Sequence, residues 1–212
     1  PAKEVGGDFY DFFFINDDHL CFAIGDVSGK GVPASLFMAV TKTLFRSTAG
    51  TGGTPGEILA RLNAEICSDN ESCMFVTLFC AILNIHTGQV DYSNGGHNLP
   101  YHLHHSGVSA LENFGGRALG LVEQSPYASG RMVLGPGETL LLYTDGVTEA
   151  MDPNEIPYSD RRLARSLASN RRSSPRQIID DLISDVRHFA GDAPQSDDIT
   201  VLALLYFGTT KR

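Results

Sequence analysis

Four stretches of this chain are apolar almost without a break: LCFAI at 20–24, FVTLFCAIL at 75–83, TLLLY at 139–143 and ITVLALLYF at 199–207. A half-buried strand alternates apolar and polar residues, whereas a strand covered on both faces does not. Strands of this kind demand a layer on each side of their sheet. Residues 9–15 and 89–93 read as further strands, and His86-Thr87-Gly88 as a hairpin turn. Helical signals fall between these runs in two batches. Pro33 suits a first helical position, and Leu36, Phe37, Val40 and Leu44 follow as one apolar stripe. Thr54-Pro55-Gly56-Glu57 has the form of a capping box ahead of Ile58, Leu59, Leu62 and Ile66. Ser174-Pro175-Arg176-Gln177 repeats the form ahead of Ile178, Leu182 and Val186, with Gly191 as terminator. A shorter helix is expected over 161–168, and an exposed loop over 152–158. Two helices follow the early strands and two precede the last one, which is not βαβ alternation. The expected fold class is α+β: a four-layer α-β-β-α sandwich of two mainly antiparallel sheets flanked by helices.

At 212 residues the chain fits one large domain or two small ones, and a net charge of −9 argues against nucleic acid as a partner. No apolar run approaches the ~20 residues of a membrane span. Cys21, Cys67, Cys73 and Cys80 form no C-x-x-C pair. Cys21 and Cys80 lie inside apolar runs, which points to buried free thiols and a reducing, cytoplasmic setting. The abrupt start at Pro1, beside a motif-rich stretch, is expected of a piece of a longer chain.

The stretch IGDVSGKG at 24–31 suggests a phosphate cradle, but it is not a P-loop. Gly25 to Gly29 is one residue too short, and Gly31 stands where a Mg²⁺-binding Ser or Thr belongs. Asp26 would repel a phosphate unless something positive stood between them. Asp8, Asp26, Asp145 and the pair Asp197-Asp198 all sit at ends of expected core strands. Turns favour Asp, which accounts for any one of them. If all converge, their like charges must be protonated or neutralised, and hard divalent cations such as Mg²⁺ or Mn²⁺ do this with oxygen ligands.

The motifs EVGGDFYD (4–11), GDVSGKGVPA (25–34), FVTLF (75–79), NGGHNLP (94–100), ALG (118–120), LYTDGVTEA (142–150) and SDDITVL (196–202) occur in this order. Together they resemble the metal-dependent protein phosphatases (PPM, type 2C), in the bacterial SpoIIE-like branch, across nearly the whole chain. The resemblance implies a phosphatase domain over 1–208, with 209–212 a tail, following a sensor or receiver domain. It implies two Mn²⁺ or Mg²⁺ ions, with Asp26 bridging both and the Val27 carbonyl and Asp8 serving the second. Asp145 and Asp197 would hold the first; Asp197 is preferred to Asp198 as the leading residue of the family's D-[DN]-x-[ST]-V pattern. Asp11, Glu149 and Asp198 become supporting acids. The implied reaction is attack of a metal-bridging hydroxide on phosphoserine or phosphothreonine, with no phosphoenzyme. The usual substrate class is an anti-sigma-factor antagonist, a small STAS-type protein, in a stress or developmental programme. A homodimer is compatible with this.

Two positions depart from eukaryotic relatives. Ser28 stands where they carry a histidine proposed to protonate the leaving group, a role that passes to a metal-bound water. The segment that would carry their phosphate-gripping arginine is absent; Lys30 is a candidate replacement, against its reading as an exposed turn lysine. His102 and His104 would share a strand face, but with no cysteine nearby a solvated strand end outweighs zinc. His97 is expected to shape a turn, and the arginines at 161–172 a solvated helix face. Other readings are a binding module for sigma or anti-sigma partners, disfavoured because the expected acids are present, and a metal-dependent phosphodiesterase or small-molecule phosphatase, disfavoured by the ordered motifs.

Overall fold

The computed structural model describes residues 5–68, 70 and 73–208. Pro1, Glu4 of the first motif and the expected tail 209–212 lie outside the described residues. The elements run β1 (Phe9–Asn16), β2 (His19–Val27), α1 (Val32–Gly50), α2 (Pro55–Ser68), β3 (Val76–Asn84), β4 (Gln89–Gly95), β5 (Tyr101–His104), β6 (Gly107–Ala110), β7 (Gly115–Gly116), β8 (Gly130–Val133), β9 (Glu138–Tyr143), α3 (Ser159–Asn170), α4 (Pro175–Ala190) and β10 (Val201–Tyr206). A 3₁₀ turn, Asp145–Val147, follows β9. One sheet has the order β1-β2-β3-β4-β7, with β8 also pairing β4; the other has the order β10-β9-β5-β6. Every pairing is antiparallel except β4 with β7.

Three apolar clusters separate four layers, and the unbroken apolar runs explain why. In β2, Cys21 and Ala23 turn to α1 and α2, packing with Phe45, Ile58 and Leu62. Phe22 and Ile24, on the opposite face, meet Leu140 and Leu142 of the second sheet. Strand β9 repeats the division: Leu141 and Tyr143 pack outward on Leu163, Leu167, Ile178 and Leu182 of α3 and α4. The α-β-β-α sandwich expected from the sequence is the observed fold. Cys21 and Cys80 are buried free thiols, as expected. Among the described residues no helix is long and apolar enough to cross a membrane.

The structure corrects several local expectations. The last strand does pack on both faces, Leu202 and Leu204 on the inter-sheet core and Val201 on the helix side, but as the outer strand of its sheet it leaves Val201 to Leu205 only half-buried, and Phe207 beyond it is 82% exposed. The buried stripe of α1 runs through Ala34, Thr41, Phe45 and Thr48, whereas Leu36 and Val40 face out. Phe45 sets this rotation by packing edge-on against Phe13 of β1 at 6.0 Å. The box at α2 is reciprocal: the Thr54 amide donates to Glu57 Oε2 at 2.8 Å and the Glu57 amide to Thr54 Oγ1 at 3.4 Å. At α4 only half the box forms. Ser174 Oγ accepts from the Gln177 amide, but the Gln177 side chain donates to Asp181 one turn on. Helix α3 is longer at both ends than 161–168. The loop before it ends in the core, with Tyr158 buried against Phe189 and its hydroxyl donating to Asp185. Arg162 lies over the Phe189 ring at 4.1 Å, so this arginine stretch is not simply a solvated face.

Candidate metal centre

Strand register brings the acids together in two pairs. Phe9 is opposite Gly25 in the β1–β2 ladder, so Asp8 and Asp26, the flanking residues, arrive side by side. Tyr143 is opposite Val201 in the β9–β10 ladder, so Asp145 and Asp197-Asp198 emerge at one end of the second sheet. Stacking of the sheets then joins the pairs. Asp8 and Asp26 are hydrogen-bonded to each other, and Asp26 feels the charges of Asp8, Asp145 and Asp197. Glu149 follows the 3₁₀ turn, its amide donating to the Asp145 carbonyl at 2.8 Å.

The electrostatics are those of crowded like charges. Burial first, then the carboxylates of Asp8, Asp145 and Asp197, push Asp26 up to about 8. Burial also raises Asp8, to about 6, against hydrogen bonds from Thr144 and Thr200 that favour its ionised form. The two carboxyls therefore share a proton near neutral pH. Burial and the charge of Asp197 raise Asp145; burial, Asp145 and Asp197 raise Glu149.

Adjoining aspartates at the head of β10 do different work. Asp198 is buried, and its Oδ2 accepts from the Gly7 amide at 2.9 Å. A Cβ on Gly6 would fall 1.9 Å from that oxygen, and a Cβ on Gly146 1.9 Å from the Asp198 carbonyl oxygen. Glycines of two motifs thus exist to let backbone close around Asp198. Asp197 stands at the surface, with Lys30 Nζ at 2.9 Å from its Oδ2. A small recess is lined by Gly6, Gly7, Asp26, Lys30, Asp197 and Asp198. A Cβ on Gly7 would lie 2.9 Å from the Val27 carbonyl oxygen, which places that carbonyl close to the same rim.

Asp11 is not among these acids. It lies on the helix side of β1, and both its oxygens accept from Arg46 of α1, at 2.9 and 2.6 Å. Ser28 is engaged by backbone: its Oγ accepts from the Phe75 amide at 2.9 Å. His102 pairs with Glu138 at 2.8 Å and His104 with Ser106 at 2.9 Å, so the two histidines are half-buried and hydrogen-bonded rather than at the solvated strand end expected.

Two contributors were not assigned to the site from sequence. Thr144 Oγ1 donates to Asp8 Oδ2 at 2.7 Å and accepts from the Thr200 amide at 3.0 Å, tying the sheets together beside the acids. Its one signal is its place next to Asp145. His97 does shape its turn, bracketed by Asn94, but it also spans the sheets. Its Nε2 meets the Tyr143 carbonyl at 3.1 Å and its Nδ1 the Thr77 hydroxyl at 2.8 Å. A carbonyl only accepts, so Nε2 carries the proton and Nδ1 accepts from Thr77. Burial pushes His97 down to about 4, keeping it neutral.

The donor chemistry suits hard cations: buried carboxylates whose protonation is forced by one another are stabilised by positive charge. Among the described residues no group of three or more His, Cys, Asp or Glu side chains stands arranged to hold an ion as it is. A shared proton on Asp8 and Asp26 and the Lys30 ammonium on Asp197 instead compensate the charges.

Residues 16–206 match the family described as Stage II sporulation protein E (SpoIIE). The chain is 32% identical to Protein IcfG of Synechocystis sp. over 96% of its own length and 36% of that protein. It is 29% identical to the phosphoserine phosphatase RsbU of Bacillus subtilis over 96% of its own length and 60% of that protein. It thus spans between about a third and three-fifths of these curated relatives. The SiaA-PP2C domain of Pseudomonas aeruginosa has the same fold, with a TM-score of 0.86 at 23% identity over 97% of this chain and 83% of that one. The chain belongs to the SpoIIE family, the bacterial branch of the metal-dependent PPM phosphatases.

Proposed function

We propose that this chain is a Mn²⁺- or Mg²⁺-dependent phosphatase that removes phosphate from phosphoserine or phosphothreonine on a regulatory protein. The observation that carries the reading is the convergence on Asp26 of Asp8, just before β1, Asp145 of the 3₁₀ turn and Asp197, ahead of β10; burial first, and then these charges, push Asp26 up to about 8. A protein gains nothing in stability from that crowding; a site for divalent cations does. Asp26, Asp8, the Val27 carbonyl, Asp145 and Asp197 are the groups that would hold the ions. When bound, two such ions lower the pKa of a shared water and stabilise charge on the transferring phosphoryl oxygens. The chain's own part is orientation. Thr144 fixes Asp8, and His97 ties the Asp26–Thr77 ladder to the end of β9, so the acids from both sheets keep their spacing.

RsbU, a similar protein, is a phosphoserine phosphatase, which supports phosphoserine as the substrate class. We further propose a small phosphorylated antagonist of an anti-sigma factor as the protein bearing it. The test is phosphate release from such a phosphoprotein, and from para-nitrophenyl phosphate, with Mn²⁺ and with chelator. Release that needs Mn²⁺ and vanishes in Asp26→Asn is the expected outcome. Full activity in Asp26→Asn would overturn the two-metal reading, and tight binding without release would favour a binding module.

A further inference from the structure

The turn after β2 carries Lys30 between Gly29 and Gly31. Lys30 Nζ donates to Asp197 Oδ2 at 2.9 Å and to the Ser196 carbonyl at 2.5 Å. Among the described residues, no other Lys or Arg side chain forms an ion pair with Asp8, Asp26, Asp145 or Asp197. An ammonium has three donors, and these contacts use two of them. The side chain is 40% exposed, so its head stands at the solvent boundary of the recess. The turn can shift. Gly29 and Gly31 have φ of +89° and +79°, a region that favours glycine, and a Cβ on either would meet nothing within 4 Å.

Charge balance gives this lysine a task. The carboxylates of Asp8, Asp26, Asp145 and Asp197, ionised, cancel two divalent cations, and Glu149 and Asp198 stand close by. A phosphate monoester dianion would then meet a centre with no net positive charge. Lys30 is the cation at its mouth, and an ammonium is a good point-charge partner for phosphate oxygens.

We propose that Lys30 binds the substrate's phosphoryl oxygens, and that its ion pair with Asp197 parks it over the centre until a divalent cation takes that carboxylate. This rests on the metal-dependent reading above. It makes one residue act in two opposite directions: the ammonium competes with metal for Asp197 and attracts phosphate.

Lys30→Gln separates the two, with wild type and Lys30→Arg alongside. Mn²⁺ binding is measured by calorimetry without substrate. The KM for para-nitrophenyl phosphate and the inhibition constant of inorganic phosphate are measured at saturating Mn²⁺. Lys30→Gln should bind Mn²⁺ roughly 3- to 10-fold more tightly, while KM and the phosphate constant rise about tenfold. Lys30→Arg should restore most of the phosphate affinity. Unchanged KM and phosphate inhibition in Lys30→Gln would overturn the phosphate role, and unchanged or weaker Mn²⁺ binding would overturn the competition. A wild type that binds Mn²⁺ and phosphate in this pattern yet releases no phosphate would sink the phosphatase reading and leave Lys30's role standing.

Discussion

The helix-covered face of the first sheet and its end at the metal centre treat buried charge in opposite ways. On the covered face, Asp11 receives both arms of Arg46, whose guanidinium also lies over the Phe13 ring at 4.7 Å. Burial alone would raise Asp11, but the Arg46 hydrogen bonds and charge outweigh it and hold the carboxyl below its ordinary value. One strand over, Asp26 has carboxylates for neighbours and is pushed up to about 8. Both residues belong to the same two-stranded ladder and come from motifs of similar composition. The first carboxylate was matched by folding; the second was left to be matched by a ligand. Frustration that the fold does not relieve marks the working end of the molecule.

Asp26→Asn should break this contrast most sharply. Mn²⁺-dependent phosphate release should fall at least about a thousandfold, since a group that would hold the ions is lost. Stability without metal should move the other way. A carboxyl raised in the folded state binds its proton more tightly there than in the unfolded chain. The metal-free protein therefore loses stability as pH rises from about 4 to about 8, and Mn²⁺ reverses the loss. Asp26→Asn should flatten that slope and raise the metal-free midpoint at pH 8 in thermal melts. A variant less stable than wild type across the whole range would show that Asp26 is not repelled by its neighbours.

His97 offers the opposite slope within the same frame. Its folded value of about 4 lies below the ordinary 6.5, so the unfolded chain binds the proton first. Stability is full above about 6.5 and is lost as pH falls towards 4, by about 3 kcal/mol for a shift of this size. His97→Gln keeps a donor for the Tyr143 carbonyl and an acceptor for Thr77 but cannot titrate. Denaturant melts between pH 6.5 and 4 should show a shallower acid limb in this variant. An unchanged limb would place the acid sensitivity elsewhere.

What the sequence disclosed follows the same division. Asp8, Asp26, Asp145 and Asp197 were legible because each sits at a strand end, and the strands themselves because burial on both faces leaves no polar break. The Thr54 box was legible because it is local. Partnerships across the fold were not. Nothing in the spacing of Asp11 and Arg46, or of Lys30 and Asp197, distinguishes a paired acid from an unpaired one; the pairing depends on how α1 rotates and where the turn after β2 falls. The rotation of α1 was itself hidden, because Thr41 and Thr48 take the buried side while Leu36 and Val40 face out. The partial exposure of β10 was hidden for a related reason: an apolar run reports what a strand can face, not whether it lies at an edge.

Asp11→Asn gives the smallest effect and sharpens the comparison from its other side. The variant keeps the shape of the side chain and one acceptor for Arg46 while removing the charge. Arg46 is 56% exposed and keeps its place over Phe13, so no buried cation is stranded. The loss should stay near about 1 kcal/mol, a drop of about 2–4 °C in midpoint for a chain of this size. Phosphate release per folded molecule and Mn²⁺ affinity should stay within about twofold of wild type, because Asp11 touches α1 and none of the acids at the sheet end. A loss of Mn²⁺ affinity larger than the loss of stability explains would mean that the two carboxylates are coupled through the β1–β2 ladder. The separation between a charge that holds the fold and a charge that awaits a ligand would then fail where the two lie nearest each other.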